Sequence, residues 1–323
     1  DRGGISKIRC LAAGRYPNIE IEVHLAELPK QNPIWKYAIG IKQESRGYRL
    51  PYLSYEKIWK NNEQILNRPD ENDNSDKVRL TQTHLEQINA NACFRDISKF
   101  FESVLYLHLV PQLIRYPAMF SGPGLPGDPF GQSFLERVAK TPEKTRKSRL
   151  KKIEAALRLA VPQLKQLTDR KDELGIMHLE AIYEHWRAKG SWQREDQFSD
   201  GTLRLIGLLW SLLESDSLLL LEEPELSLNA GIVTRLPALI YRLQRQKTRQ
   251  IILSTHSADL LSDKGIGAEE ILLLTPSEGK GTNVEVASSI QGIKDLLEGG
   301  FSIAEAILPR TVPQKSSQLE FFE

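Results

Sequence analysis

Sulfur, net charge and long apolar runs are all scarce in this chain. Its 323 residues contain two cysteines and two methionines, and 43 basic against 42 acidic side chains leave a net charge of +1. Cys10 and Cys93 lie far apart without metal-ligand spacing, which excludes a disulfide framework and a cysteine-built metal centre and reads as two reduced core thiols. A charge so close to zero provides no global field toward nucleic acid or membrane, so any such contact has to come from a local patch. No apolar run approaches the roughly 18 residues of a membrane span, and no signal peptide is visible. Together with the reduced thiols, this predicts a cytoplasmic protein without membrane contact. What is present is globular: 40% apolar and 26% charged residues are enough to bury one large domain or two ordinary ones.

The stretch that organises the rest is Leu218–Asn229, Leu-Leu-Leu-Leu-Glu-Glu-Pro-Glu-Leu-Ser-Leu-Asn. Four consecutive leucines read as a short strand buried on both faces. The strand delivers two adjacent acids, Glu222 and Glu223, to its carboxyl end, where α/β sheets bind ligands, and Pro224 stops it there. Paired acids at such a rim suit phosphoryl chemistry: one supports a water-ligated Mg²⁺ and the other polarises an attacking water. Upstream, Phe198-Ser-Asp-Gly-Thr-Leu-Arg204 precedes an apolar helix over Leu203–Leu213. Ser199, Asp200 and Gly201 then combine a hydroxyl, bare backbone and a helix N-terminus into an anion site. Downstream, Ile251-Ile-Leu-Ser-Thr-His-Ser257 is a second short strand that ends on His256.

Three such motifs in this order resemble an ATP-binding-cassette ATPase of the SMC/RecF-like class, in the branch of AAA-type predicted ATPases. The resemblance implies an α/β fold: a P-loop NTPase-like core with a parallel sheet, an antiparallel β-lobe and a helical insertion lobe. It implies ATP and Mg²⁺ as cofactors, with Ser199–Thr202 as the signature loop. Leu218–Glu223 is then Walker B, Glu225–Asn229 the D-loop and His256 the switch histidine. By the same resemblance Glu223 is the acid that polarises water, Glu222 stands at the Mg²⁺-supporting position usually held by aspartate, and Asn229 stands where an aspartate is usual. The signature loop of this family faces the γ-phosphate of a second protomer, which implies an ATP-dependent homodimer.

Taken in order, residues 1–60 read as an antiparallel β-lobe with strands over Ile19–Leu25, Trp35–Lys42 and Tyr48–Tyr55, and Arg2–Ile5 resembles the segment the family places after its first helix. Residues 61–197 read as an insertion: an exposed loop over 61–79, a mostly helical Thr83–Leu113, a glycine- and proline-rich connector over Gly122–Gly131, and a charged helical lobe over 132–197. In that lobe Leu150, Ile153, Leu157, Val161, Leu164 and Leu167 keep near-heptad spacing, too briefly for a long coiled coil. Its basic run, Arg137 to Lys152, is either a solvated helix face or a contact for DNA backbone. Residues 198–308 alternate strand and helix as in a parallel sheet, with strands at Leu218–Leu221, Ile251–Ser254 and Ile271–Leu274, and 309–323 read as a flexible tail.

The chain contains no Gly-x-x-x-x-Gly-Lys-Ser/Thr run, the loop that holds the β- and γ-phosphates. The family places it just before the point where this sequence begins, so the expectation is an ATPase lacking its N-terminal segment and inactive as this chain alone. Gln43 and Gln112 are Q-loop candidates by position only. Two functions stay open: an ATP-hydrolysing, dimerising switch in a DNA-related or anti-phage process, or a non-catalytic interaction subunit of an ATPase–effector complex. Too few residues follow His256 for a further nuclease domain, so any nuclease would be a partner.

Overall fold

The computed structural model describes residues 4–312 except 11, 12, 15, 17, 29, 30, 45–47, 120–124, 185–190, 248, 278 and 280. Arg2 and Gly3, the start of the Gly122–Gly131 connector and the tail from 313 therefore lie outside the described residues. The chain divides into two compact units, one of residues 1–103 with 275–283 and one of 104–274 with 284–323. Among the described residues no helix is long and apolar enough to cross a membrane.

In the first unit a short helix α1 (Ile5–Ile8) precedes strands β1 (Ile19–Leu25), β2 (Trp35–Gln43), β3 (Pro51–Lys60) and β4 (Glu63–Arg68). They pair as an antiparallel meander in sequence order, as the alternation in Ile19–Leu25 requires of a half-buried strand. The β2–β3 register shifts after Gly40, where a Cβ would collide with the side chains of Ser54 and Tyr55, so only glycine lets the strands approach there. Tyr37, Ile39, Leu53 and Ile58 form the core with Leu80, Phe94 and Ile97, the last on α3 (Arg95–Ser103). Both cysteines are exposed rather than core. Cys93 sits in a 3-10 turn whose buried contact comes from its neighbour Phe94.

Residues 61–79 are mostly exposed, as expected, but are not a loop. They contain β4, helix α2 (Glu71–Ser75) and a 3-10 turn, built around the buried guanidinium of Arg68. Arg68 donates from Nε and Nη2 to Asp73 at 2.9 Å each, and from Nη1 to Glu56 at 2.8 Å. Its two other N–H groups go to the carbonyls of Gln82 and Arg79 at 3.0 and 2.9 Å. Every donor of the fork is used, which is what makes a buried arginine tolerable. The hydrogen bonds from Arg68 hold the Asp73 carboxyl well below the usual carboxylate range, against the opposing effect of burial.

The second unit starts with β5 (Leu105–Leu107) and α4 (Pro111–Arg115), a strand and a short helix at the end of the stretch expected to be mostly helical. Helices α5 (Phe134–Lys140) and α6 (Glu143–Ala160) follow, with Leu150, Ile153 and Leu157 of α6 buried. The lobe is helical only as far as Ala160. Strands β6 (Leu164–Lys171), β7 (Met177–Tyr183) and β8 (Ser191–Arg194) then make a three-stranded antiparallel sheet. Leu164 and Leu167 prolong the spacing of α6 by coincidence, because an irregularity in β6 between Leu164 and Gln166 buries two residues three apart on one strand.

Helix α7 (Asp200–Glu214) is apolar almost all round and buried over nearly its whole length, as such a composition demands. After it come β9 (Leu219–Glu222), α8 (Ala230–Val233), α9 (Leu236–Lys247), β10 (Ile251–Ser254) and α10 (Ala258–Leu261). β5 and β10 flank β9 in a parallel three-stranded sheet, which gives the mixed α/β class. Its core packs Leu107, Leu219 and Leu221 against Leu203, Ile206 and Trp210 of α7. The strand expected over Ile271–Leu274 does not join this sheet. It runs as β11 (Leu272–Ser277) and pairs with β12 (Gly281–Val286) in a separate ribbon, followed by α11 (Gln291–Glu298) and α12 (Ile303–Thr311).

Candidate functional site

β9 is the middle strand of the parallel sheet, and Leu219 and Leu221 are buried. Pairing on both edges satisfies its backbone and fixes where its acids emerge. Glu222 is in register with Ser254, the last residue of β10. Glu223 leaves the sheet in left-handed backbone, φ 41°, while its N–H donates to the Ser254 carbonyl at 3.1 Å. That conformation costs a non-glycine residue about 1 kcal/mol.

Glu222 is half-exposed and held from β5. The Tyr106 hydroxyl donates to its Oε2, and His108 Nδ1 lies 3.9 Å from its Oε1. Neither Tyr106 nor His108 is expected from the sequence as part of the site. The signal available was a polar pair two apart, Tyr106 on β5 and His108 just past its end, concealed because a three-residue strand between helical segments leaves no periodicity to read.

On the other side stands the start of α7. Ser199 caps the helix, its Oγ accepting from the Thr202 N–H at 3.2 Å and lying 2.8 Å from Thr202 Oγ1. Asp200 is tied within the unit, to Arg115 Nη2 at 2.6 Å and to Gln112 Nε2 at 3.0 Å. Gly201 packs on the loop after β9, where a Cβ would come 2.6 Å from the Ser227 carbonyl oxygen. Arg204, one turn further, is buried with Nε and Nη1 lacking any hydrogen-bond partner among the described residues. Burial pushes its guanidinium down from the ordinary value, against the attraction of Asp200, Glu225 and Glu223.

His256 is exposed, two residues past the end of β10, so adjacent parallel strands bring Glu222, Glu223 and His256 to one end of the sheet. Its turn is pinned by Thr255, whose Oγ1 donates to Glu225 Oε1 and accepts the Ser257 N–H at 2.9 Å. Ser257 in turn caps α10. Asn229 serves a local purpose: its side chain caps α8 by accepting from the Gly231 N–H at 2.9 Å. Of the two glutamine candidates, Gln112 reaches Asp200, whereas Gln43 belongs to β2 of the first unit and donates to the Arg49 carbonyl at 2.9 Å.

Among the described residues no group of three or more histidine, cysteine or acidic side chains could hold a metal ion. The one carboxylate of Glu222, half-exposed and oxygen-only, fits Mg²⁺ held through water, with the remaining ligands from water and phosphate.

A family model described as "AAA domain, putative AbiEii toxin, Type IV TA system" matches residues 1–263. No curated protein matches the chain. Among solved structures, an SMC head bound to the C-terminal winged-helix domain of ScpA is similar at 11% identity and a TM-score of 0.45, over 83% of this chain and 74% of that one. An SMC head with an extended coiled coil, bound to the C-terminal domain of ScpA from Pyrococcus furiosus, matches at 12% identity and a TM-score of 0.42, over 88% and 81%. The SMC head domain from Thermotoga maritima matches at 14% and 0.37, over 80% and 76%. These are distant likenesses; the family match is the stronger finding.

Proposed function

The chain belongs to the AbiEii-like AAA ATPase family, and from that premise we propose that it is a Mg²⁺-dependent, ATP-hydrolysing switch that dimerises on ATP. The observation that carries this reading is the shared end of the parallel sheet. Glu222 and Glu223 emerge there from β9 and His256 from β10, and Gly201 brings the start of α7 onto the same loop.

In this reading Glu223, at its left-handed turn after β9, accepts the proton of the attacking water. Glu222, positioned by Tyr106, holds Mg²⁺ through water; the ion supplies charge neutralisation at the phosphates. His256 donates to the γ-phosphate and senses its loss. Ser199, Asp200 and Gly201 present the N-terminus of α7 to the phosphate of a second copy, with the Asp200 charge compensated by Arg115. Asn229 borders this surface at the N-terminus of α8. The 323 residues contain no Gly-x-x-x-x-Gly-Lys-Ser/Thr run, so the phosphate cradle comes from outside them.

The process served is DNA-related or anti-phage, inside the cytoplasm, with a nuclease or other effector as partner. The family description supports a defence setting. For DNA the support is the exposed side of α6, where Lys144, Lys151 and Lys152 face solvent while Arg146 pairs inward with Asp169 at 2.8 Å.

The test is ATP turnover and molecular mass of the complete protein, with and without Mg²⁺. Hydrolysis together with an ATP-dependent dimer that Glu223→Gln traps supports the switch. No binding and no turnover, with assembly unchanged by Glu223→Gln, replaces it with the non-catalytic interaction subunit.

A further inference from the structure

Two charged clefts flank helix α6, and they differ in how far the protein neutralises them. One, of about 370 Å³, runs between α6 and β6. Its cations are mostly paired within the unit: Lys147 with Glu143 at 2.5 Å, Arg158 with Glu154 at 2.8 Å, and Lys165 with Glu184 at 3.1 Å. The other, of about 350 Å³, lies at the corner between α5 and α6. Arg137, Lys140 and Arg149 line it with Thr145, and Glu214 is its one carboxylate.

That carboxylate leaves the cations unmatched. Arg137 Nη2 stays 3.9 Å from Glu214 Oε2, beyond hydrogen-bonding distance. Arg137 Nε and Nη2 are buried without a hydrogen-bond partner among the described residues, which is costly for charged donors. These two atoms form one edge of the guanidinium, the same edge with which Arg68 grips Asp73. Lys140 meets only the exposed Glu136, at 3.6 Å.

Aromatic packing holds the two arginines in place. Arg137 lies over Phe134 at 5.9 Å from the ring centre and Arg149 over Trp210 at 5.2 Å, and both rings are fully buried. Arg149 is fixed further by donating from Nη2 to the Glu214 carbonyl at 3.0 Å. A guanidinium positioned by stacking keeps N–H edges for an oxyanion and loses little side-chain freedom in binding it.

We propose that the α5–α6 corner binds one phosphate group, gripped by Arg137 and Arg149 and assisted by Lys140 and the Thr145 hydroxyl. A tetrahedral oxyanion suits donors that come from two helices, whereas a planar carboxylate is matched by a single guanidinium edge. The N-terminus of α6, which has no side-chain cap, adds its positive end. The phosphate is either that of a nucleic-acid backbone or free phosphate. The first source rests on the DNA-directed reading of α6; the site itself does not, and neither source requires ATP turnover.

Two readouts on the complete protein test the site and separate the sources. The melting temperature is followed as phosphate replaces chloride at constant ionic strength, and a labelled DNA duplex is titrated over a range of salt. The variants are Arg137→Gln and Arg149→Gln, with Arg137→Lys keeping the charge without the fork. Lys264→Gln removes one charge elsewhere in the second unit as a control. Phosphate is expected to raise the wild-type melting temperature, and Arg137→Gln to abolish the rise. With backbone phosphate as the source, each glutamine variant weakens duplex binding roughly tenfold and lowers the slope of log affinity against log salt by about one, the loss of one phosphate contact. Should Arg137→Gln fail to fold, Arg137→Lys carries the comparison. A lost phosphate response beside unchanged duplex affinity assigns the site to free phosphate. Both readouts equal to those of Lys264→Gln overturn the site. A wild type that responds in both readouts but turns over no ATP removes the switch and leaves the site standing.

Discussion

A Cβ placed on Gly201 would lie 2.6 Å from the carbonyl oxygen of Ser227. The first turn of α7 and the loop after β9 are in backbone contact there, and no side chain longer than hydrogen fits. Gly201→Ala is therefore expected to push the two apart, with a loss of about 1–3 kcal/mol for forcing atoms into a packed contact. Thermal denaturation checks the loss. If the proposed function is right, ATP-dependent dimerisation should fall in the same variant, because the N-terminus of α7 is displaced.

Glu223 separates stability from chemistry. Its left-handed φ favours glycine, so Glu223→Gly should stabilise the fold by up to about 1 kcal/mol. If the proposed function is right, hydrolysis falls by about a hundredfold or more, the contribution of a positioned base. Paired denaturation and turnover measurements check this. A destabilised Glu223→Gly would contradict the strain, and undiminished turnover would contradict the role.

Arg68 anchors the first unit, and Arg68→Met leaves Glu56 buried without its cation and Asp73 with only Arg79, whose Nε lies 3.2 Å from Oδ1. A loss of about 3–5 kcal/mol is expected in chemical denaturation. Asp73 adds a pH signature. Its folded carboxyl is held below the ordinary range, so its contribution is complete above the unfolded value near 3.9 and is lost as pH falls through the lower folded value. Asp73→Asn should flatten the acid limb of the stability profile while lowering stability at neutral pH.

His178 should give the opposite slope. Its Nδ1 meets Glu195 Oε1 at 2.6 Å and its Nε2 meets Asp172 Oδ2 at 3.3 Å. Burial works against its charged form, but these carboxylates prevail and raise its pKa. The stabilisation is then complete below the unfolded value near 6.5 and disappears as pH rises through the folded value. Melting curves of wild type and His178→Gln should differ more at pH 5.5 than at pH 8.5.

The two strands that deliver Glu222, Glu223 and His256 were legible because continuous apolar runs ending on polar residues leave few alternatives. The rest failed for identifiable reasons. Residues 61–79 look solvated in composition, and nothing in a string of Asn, Asp and Lys says that Arg68 and Asp73 neutralise one another inside. Leu164 and Leu167 look helical because an irregular strand reproduces a helical interval. Tyr106 and His108 escaped because β5 is three residues long, with His108 just past its end, and acquires its meaning only from β9. Arg204 passed as one more charge on an apolar helix; its burial and its orphaned donors are tertiary facts.

Tyr106 and Glu222 meet although they stand 116 positions apart in the chain. Closing so large a loop carries an entropic penalty that only a finished sheet offsets, and parallel pairings of this kind are slow to form. The antiparallel sheets on either side of β5 in sequence join near neighbours and have no such delay. During synthesis or refolding, then, the lobes come first and the end of β9 last. Regained function in this chain reports completion of the whole unit, whereas regained secondary structure does not.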